Sequence, residues 1–296
     1  MLEQKEAFYA TRPMAGADFA GKMTGSMHKL KLPLPDSHMP DDTVALLEAG
    51  VWGQARGAPI GLPDRVLYGS DQVLNLDKHW PGHEQHPFGQ WRTSALPKCP
   101  QSLLSLLEEE IAGVTGGMSY LGSLGSFFAF HVENQRLPSY NLLMAGSPKV
   151  WYAVTPEHIS TFRAACAAMR VEPNLATMID LEKLAAHGVP LTRAVQRPGQ
   201  VIITFPGAYH AGFNTGPNWA EAANFAFSDW LPHGRMARDE DGRITPTPLF
   251  AFDRLLLALA MHAAEPSSPW YADRAIVRAE LELLMEREEE QRAEQG

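Results

Sequence analysis

The strongest constraint on the fold is a series of short apolar segments between residues 127 and 227, separated by Pro, Gly and Asn. The segments are rich in β-branched and aromatic residues, as strands are. Five such strands are predicted: Phe127–Val132, Ser139–Met144, Lys149–Val154, Gln200–Phe205 and Ala220–Phe227. Many short strands with turn residues between them are typical of barrels and jelly rolls. We therefore predict a mainly β fold.

Helical patterns lie between and around these strands. Helices are predicted at Thr43–Glu48, Ser102–Ala112, Pro156–Met169, Leu249–Ala264 and Ala272–Glu294. The first 65 residues are rich in Pro, Gly and Met and have little periodicity, so they are predicted to form an extended arm. This pattern divides the chain into an N-terminal arm (1–65), a main domain (66–247) and a C-terminal helical region (248–296).

Composition excludes several functional classes. The chain has 296 residues and a formal charge of −9. An acidic chain lacks the basic surface that binds phosphates, so we expect no direct sequence-specific contact with nucleic acid. No apolar run approaches the roughly 18 residues of a membrane span, so we expect no membrane contact. The two cysteines, Cys99 and Cys166, do not form a Cys-x-x-Cys pair and are interpreted as ordinary thiols.

His131 and Glu133 lie two residues apart in a predicted strand, which would direct both side chains to the same face. A second candidate ligand is His210, which follows a buried-strand pattern and lies in a Gly/Pro-rich segment predicted to be a turn. Two histidines and one carboxylate would leave three positions open on an octahedral Fe(II) ion, whereas zinc prefers closed tetrahedral sites. From this spacing alone, core histidines satisfied by hydrogen bonds remain the favoured interpretation.

A second group of histidines lies in the segment between residues 77 and 100. His79, His83, Glu84 and His86 have ligand chemistry, but the surrounding Pro and Gly residues predict a long loop. A loop of this kind gives metal ligands no rigid frame. A metal site is therefore not favoured there.

The sequence resembles the jumonji C (JmjC) 2-oxoglutarate oxygenases, in particular the lysine demethylases that also carry a jumonji N segment. The matching motifs are Tyr120–Gly122, Phe128–Glu133, Ser139–Asn141, Gly146–Tyr152, Pro156–His158, Ile203–Pro206, Tyr209–Asn214 and Ala220–Ala226. They occur in the order and spacing of that family and cover about residues 60–260. Phe8–Pro35 resembles a degraded jumonji N segment.

The resemblance implies a double-stranded β-helix, a cupin-like jelly roll with C-terminal helices. It implies an enzyme that uses Fe(II), 2-oxoglutarate and O₂, with His131, Glu133 and His210 as metal ligands and catalytic centre. With this resemblance, the metal interpretation becomes the favoured one. The implied 2-oxoglutarate residues are Tyr68, Phe128, Asn141, Lys149 and Trp151.

The resemblance also implies a substrate, a methylated lysine in a histone tail, and a nuclear location. The implied substrate residues are Gly113, Tyr120, Glu133, Ala222 and Asn224. Several relatives have serine at the position of Ala222, so this departure is expected to alter the preferred methylation state. The cysteine-rich zinc site of close relatives is also missing.

Two other functions stay open at this point. One is a JmjC protein hydroxylase with the same metal centre and a wider pocket. The other is a catalytically silent JmjC module that binds chromatin, although the intact ligand set argues against it. The sequence does not indicate an oligomeric state.

Overall fold

The computed structural model of this protein describes residues 38–57, 66–72, 93–173, 177–240 and 248–295. The segment that resembles jumonji N and the His-rich loop at 79–86 lie outside the described residues. The domain boundaries at 65 and 247 also fall at or outside the edges of described segments and remain predictions. None of the described helices combines the length and the apolar character needed to cross a membrane.

The described strands form two antiparallel sheets. The strands are β1 Tyr68–Gln72, β2 Met118–Gly122, β3 Phe127–His131, β4 Ser139–Gly146, β5 Lys149–Val154, β6 Thr192–Gln196, β7 Val201–Thr204, β8 Tyr209–Asn214 and β9 Asn218–Asn224. The first sheet has the order β1-β2-β9-β4-β7, and the second has the order β3-β8-β5-β6. Two such sheets with flanking helices confirm the predicted jelly roll.

The sheets contain strands that the sequence patterns did not predict. β8 is the most important of these, because the segment around His210 was predicted to be a turn and is instead a fully buried strand between β3 and β5. Small residues in β8 allow neighbouring groups to pack closely against the strand. A Cβ atom at Gly212 would clash with the carbonyl oxygen of Val150 and with the ring of Phe128. Local composition therefore predicted a turn where tertiary packing requires small residues in a strand.

Three helices cover the outer face of the second sheet. They are α1 Asp41–Ala55, α2 Ile159–Met169 and α3 Leu181–Ala186. Their apolar side chains pack against outward-facing residues of β3, β5 and β8, including Phe130, Val150 and Phe213, which are at most 1% exposed. α1 extends well beyond the predicted Thr43–Glu48 segment, because Val51 and Trp52 also join this core. The inner face of the sheet is left for polar and aromatic groups.

The C-terminal helices build a second core. They are α4 Leu231–Asp239, α5 Phe252–Ala263 and α6 Arg274–Gln295. The helix predicted over Ser102–Ala112 is wrong in extent, since only a short 3-10 turn at Leu103–Leu106 forms. Leu103 and Leu104 are buried against the C-terminal helices. Tertiary contacts, not helical periodicity, explain these leucines.

An unusual turn follows β3 and is hydrogen-bonded to the segment at Leu249 and Phe250. Gln135 and Arg136 have φ angles of 52° and 54°, a left-handed conformation that residues with a Cβ atom rarely adopt. The Gln135 Nε2 donates to the carbonyl oxygen of Phe250 at 3.0 Å, and its Oε1 accepts from the Leu249 N–H at 3.0 Å. The indole N–H of Trp230 donates to the Gln135 carbonyl oxygen at 3.1 Å. Long-range hydrogen bonds thus offset the cost of this backbone conformation.

Replacing Gln135 with Ala should reduce the free energy of unfolding by about 1–3 kcal/mol, because the Leu249 and Phe250 amides lose their acceptor. Chemical denaturation followed by circular dichroism measures this change. The matched control is Gln291→Ala, an exposed position on α6, which should change stability by less than about 0.5 kcal/mol. Equal stability of the two variants would contradict the role given to Gln135.

Candidate active site

Three ligand-type side chains converge on the inner side of the second sheet. Potential ligand atoms of His131, Glu133 and His210 all lie within 4.8 Å of one another. His131 and His210 are directly opposite each other in the pairing of β3 with β8, and their ring centroids are 4.3 Å apart. Glu133 lies just beyond β3, in extended backbone with φ −58° and ψ 148°. The alternation of side chains therefore persists past the strand end, and Glu133 reaches the same face as His131.

Backbone carbonyls orient both imidazole rings. The Nδ1 atom of His131 is 2.8 Å from the carbonyl oxygen of Ala129, and the Nδ1 atom of His210 is 3.1 Å from that of Ala208. A carbonyl oxygen can only accept, so each Nδ1 carries a proton. In its neutral form each ring then has a lone pair on Nε2 that can bind a metal ion, the usual arrangement for histidine ligands in proteins.

The protonation states of this group also suit a metal ion. Burial alone would raise the pKa of Glu133, but the hydrogen bond with His210 and the charges of both histidines outweigh burial and lower the pKa to about 2. Burial and the nearby His210 lower the pKa of His131 to about 4. The Glu133 Oε1 is 3.4 Å from the His210 Nε2. A carboxylate that stays ionised beside two imidazole rings is a donor set that suits a divalent cation.

Lys149 is buried in the same interior. It is 1% exposed, and burial lowers the pKa of its ammonium group to about 7. Within the described residues, no carboxylate forms an ion pair with it. Its Nζ lies 5.2 Å from the centre of the Phe128 ring and 5.9 Å from that of Tyr68. A buried amine surrounded by aromatic rings is costly to charge, unless a ligand brings a compensating anion.

Aromatic rings connect this lysine to the histidines. Phe128 and Trp151 are in edge contact with ring centroids 4.6 Å apart, and Trp151 stacks on His210 at 6.1 Å. Phe128 lies 6.3 Å from His131 by the same measure. Phe128 and Trp151 therefore form one wall of the interior, which extends from the ammonium group of Lys149 to the two histidines.

Asn141 reaches this interior from the first sheet. Its side-chain Oδ1 lies 3.3 Å from the Nε2 of Gln196, whose Oε1 accepts a 2.8 Å hydrogen bond from the indole N–H of Trp151. Asn141 and Ala222 are directly opposite in the pairing of β4 with β9, so they share one face of the sheet. All five predicted 2-oxoglutarate residues therefore surround one region of the interior.

Most of the predicted substrate residues meet at Asn224. Its Nδ2 donates to Glu133 Oε2 and to the Pro138 carbonyl oxygen, both at 3.2 Å, and its backbone N–H donates to the Gly113 carbonyl oxygen at 3.1 Å. Ala222 is two residues earlier on the same strand and on the same face. Tyr120 lies opposite Ala220 on β2, which puts it on this face as well, and its ring centroid is 6.4 Å from that of Tyr68.

Two glutamines with roles at this site were not predicted from the sequence. Gln196 connects Asn141 to Trp151, and Gln135 fixes the turn after Glu133. Neither glutamine lies in a sequence motif that indicates a chemical function. Gln196 lies near Arg193 and directly before Arg197, and such a pattern looks like that of a solvent-exposed strand.

Comparison with known proteins relates the chain to one family. Residues 118–225 match the family model described as "JmjC domain, hydroxylase". The chain is 37% identical over 277 residues to lysine-specific demethylase JMJ706 of Oryza sativa subsp. japonica, which covers 88% of this chain. It is 35% identical over 183 residues, or 58% of this chain, to lysine-specific demethylase ELF6 of Arabidopsis thaliana.

A third relative is described as a probable inactive lysine-specific demethylase, JMJ19 of Arabidopsis thaliana, 37% identical over 68% of this chain and 29% of its own length. The chain spans only 30% of the length of JMJ706 and 14% of that of ELF6. The region that matches the family model, residues 118–225, contains all the site residues described above except Tyr68 and Gly113. This chain therefore carries a JmjC domain and is homologous to the JmjC lysine-specific demethylases of plants.

Proposed function

We propose that this protein is an Fe(II)- and 2-oxoglutarate-dependent dioxygenase that removes methyl groups from lysine side chains of histone tails. The observation that supports this proposal most strongly is the convergence of His131, Glu133 and His210 on one face of the jelly roll, beside a buried lysine. The homologous demethylases support the substrate class. A histone substrate implies a nuclear location, and the formal charge of −9 suits a basic tail.

The three ligands fit Fe(II). Their two nitrogen atoms and one oxygen atom would occupy three positions and leave three for a keto acid and O₂. The bound iron would supply the activation of O₂ for attack on a C–H bond. The chain itself presents both Nε2 atoms toward the carboxylate, through the carbonyl groups of Ala129 and Ala208, and keeps the carboxylate ionised.

The groups between the candidate ligands and Lys149 have the chemistry to hold 2-oxoglutarate. The ammonium group of Lys149 would pair with the distal carboxylate, and the hydroxyl group of Tyr68 would add a hydrogen bond. Asn141 would donate to the carboxylate that lies beside the metal. Phe128 and Trp151 would enclose the carbon chain and exclude water, because their rings already contact each other and the ligand histidines.

The proposed reaction on the substrate balances in atoms and electrons. One oxygen atom of O₂ enters a C–H bond of the N-methyl group, and the other enters succinate as 2-oxoglutarate loses CO₂. The resulting N–CH₂OH group breaks its C–N bond, the hydroxyl proton passes to nitrogen, and formaldehyde leaves. Gly113, Tyr120 and Asn224 would position the methylammonium group with carbonyl, hydroxyl and amide oxygen atoms.

The second candidate function is a protein hydroxylase, which the description of the family model favours. It would use the same metal ligands and 2-oxoglutarate residues, and Tyr120 would serve packing alone. A silent chromatin-binding module is the third, and JMJ19 supplies a precedent for lost activity. The full set of metal ligands supports an active enzyme over this third candidate.

Replacing His210 with Ala should abolish 2-oxoglutarate decarboxylation and leave the fold intact, because the ring contributes a ligand while the surrounding core is formed by the outer faces of the sheets. Iron content by atomic absorption and 2-oxoglutarate consumption measure the effect. The exposed His187→Ala is the matched control and should retain both. Full activity of His210→Ala would show that another residue completes the metal site.

Replacing Lys149 with Met should weaken 2-oxoglutarate binding roughly 10–100-fold, the effect of losing one charge-assisted hydrogen bond of about 1.5–3 kcal/mol. The same change should raise the stability of the ligand-free protein by about 1 kcal/mol or more, because a buried ammonium group is removed. Calorimetric titration and thermal denaturation measure the two effects. Lys183→Met, at an exposed position, should show neither.

The stability gain of Lys149→Met should depend on pH with a defined sign. The pKa of Lys149 is lowered from 10.5 to about 7 in the folded protein, so the unfolded chain binds more protons between these values. Wild-type stability should therefore rise with pH across this window, and the advantage of the variant should shrink. A gain that stays constant from pH 6 to 10 would contradict burial of a charged Lys149.

Replacing Tyr120 with Ala should reduce demethylation of methylated histone peptides by about tenfold or more, while uncoupled 2-oxoglutarate decarboxylation continues. Tyr120 lies on β2, opposite Ala220 of β9, and is not one of the residues assigned to 2-oxoglutarate. Mass spectrometry of peptides distinguishes loss of a methyl group from gain of an oxygen atom, and a formaldehyde assay confirms the product. Tyr271→Ala, in the C-terminal region, is the control.

If wild-type enzyme consumes 2-oxoglutarate but adds oxygen to peptides and releases no formaldehyde, the hydroxylase function replaces the demethylase function. In the demethylase, Ala222→Ser should change the ratio of trimethyl to dimethyl turnover, since a hydroxyl group would stand beside the methyl groups. An unchanged ratio would place Ala222 outside the substrate pocket.

A further inference from the structure

We propose that Gln196 is a positioning residue, which determines that the amide of Asn141 presents its NH₂ group to the 2-oxoglutarate pocket. The inference rests on the proposed function, because that function gives Asn141 the task of donating to a carboxylate. Asparagine oxygen and nitrogen have nearly the same shape, so packing alone does not select one orientation of the amide. Hydrogen-bond partners of fixed polarity are needed.

Gln196 is placed to act between the two sheets. It is the last residue of β6, lies directly opposite Lys149 in the pairing with β5, and is 0% exposed. Its side chain crosses from the second sheet to Asn141 on β4 of the first sheet. It therefore lies behind the predicted cosubstrate pocket, at the end marked by Lys149.

The orientation of the Gln196 amide is determined by three partners. The indole N–H of Trp151, which can only donate, bonds to Oε1 at 2.8 Å. The backbone carbonyl groups of Asn141 and Gln200, which can only accept, bond to Nε2 at 2.9 Å and 3.0 Å. Rotating the amide by 180° would turn all three favourable contacts into repulsive ones. Gln196 therefore has one allowed orientation.

That orientation is passed on to Asn141. Nε2 of Gln196 also lies 3.3 Å from Oδ1 of Asn141, so one of its two N–H groups is shared between this oxygen and a backbone carbonyl group. If the Asn141 amide were reversed, two NH₂ groups would face each other in a buried site, which is unfavourable because neither can accept. The two branches of a planar amide diverge, so the Nδ2 group of Asn141 points away from Gln196. A carboxylate on that side would meet a donor and not an acceptor.

Gln196 also holds Trp151, whose ring forms part of the pocket wall against Phe128 and His210. One glutamine side chain thus fixes a polar contact and an aromatic wall of the same pocket. The histidine ligands are oriented independently, through the carbonyl groups of Ala129 and Ala208. Loss of Gln196 should therefore impair 2-oxoglutarate binding and spare metal binding.

The test compares Gln196→Met with wild type by calorimetric titration of Mn(II) and then of 2-oxoglutarate into the Mn(II)-loaded protein. Methionine keeps the size of the side chain and removes its polarity. The dissociation constant for 2-oxoglutarate should rise roughly tenfold, the loss of one hydrogen bond to a charged group, and that for Mn(II) should change less than about twofold. The indole N–H resonance of Trp151 in a nitrogen-15 spectrum should also shift.

Tyr152→Phe is the matched control. Tyr152 lies on β5, and on the outer face of the same sheet its hydroxyl group donates to Glu48 at 2.6 Å and accepts from Trp52 at 2.9 Å. The variant loses buried hydrogen bonds near the pocket without touching it. Its stability should fall, and its 2-oxoglutarate affinity should equal that of wild type.

A double-mutant cycle identifies the route of the effect. In an Asn141→Ala background, Gln196→Met should cause a smaller further loss of affinity than in wild type, because the Asn141 amide is already gone and only the contact with Trp151 is left to lose. If Gln196→Met does not fold, Gln196→Asn replaces it in the cycle, since a side chain shorter by one methylene group cannot reach both Trp151 and Asn141.

The outcomes separate this inference from the proposed function. If wild type binds 2-oxoglutarate and Gln196→Met binds it within about twofold, or if the two substitutions are additive, the positioning role is wrong and the proposed function stands. If metal-loaded wild type binds no 2-oxoglutarate, the proposed function is wrong and this inference fails with it. Weaker binding with non-additivity supports both.

Discussion

The pairing of β3 with β8 is the constraint on which the rest of the site depends, because it sets His131 directly opposite His210. A shift of one residue in this register would turn His210 toward the helices on the outer face and separate the two rings. The outer-face residues of both strands, such as Phe130 and Phe213, are completely buried under those helices and oppose such a shift. The hydrophobic core on one side of the sheet thereby fixes the polar geometry on the other.

The interior face carries one group that reduces stability in the absence of ligands. Lys149 is buried without an ionic partner among the described residues, and burial lowers its pKa. Glu133 differs, because its hydrogen bonds and neighbours lower its pKa and the folded chain already favours the carboxylate. A bound dicarboxylate would stabilise the ammonium group of Lys149. The two apolar cores, one under α1 to α3 and one among α4 to α6, offset this cost. A buried charge that destabilises the ligand-free protein would thus contribute to the free energy of ligand binding.

The sequence predicted the fold class and which residues lie close together better than it predicted the secondary structure and contacts around them. Alternation correctly put His131 and Glu133 on one face, although Glu133 lies beyond the strand, because extended backbone continues for two residues. It did not reveal that His210 lies in a central strand, since Gly212 suggests a turn when its tertiary neighbours are unknown. The role of Gln196 had no sequence signal, because its hydrogen bonds to Trp151 and Asn141 span 45 and 55 residues of sequence.

The two sheets contribute different groups to the interior, and this difference bears on substrate choice. The second sheet and the turn after β3 supply the proposed metal ligands, Lys149 and the aromatic wall, while β2 and β9 of the first sheet supply Tyr120, Ala222 and Asn224. Asn224 connects the two groups through its hydrogen bond to Glu133. A substitution at Ala222 can therefore reshape the proposed substrate side without moving the proposed ligands. Asn224 has no such freedom, because changing it also removes a hydrogen bond to Glu133.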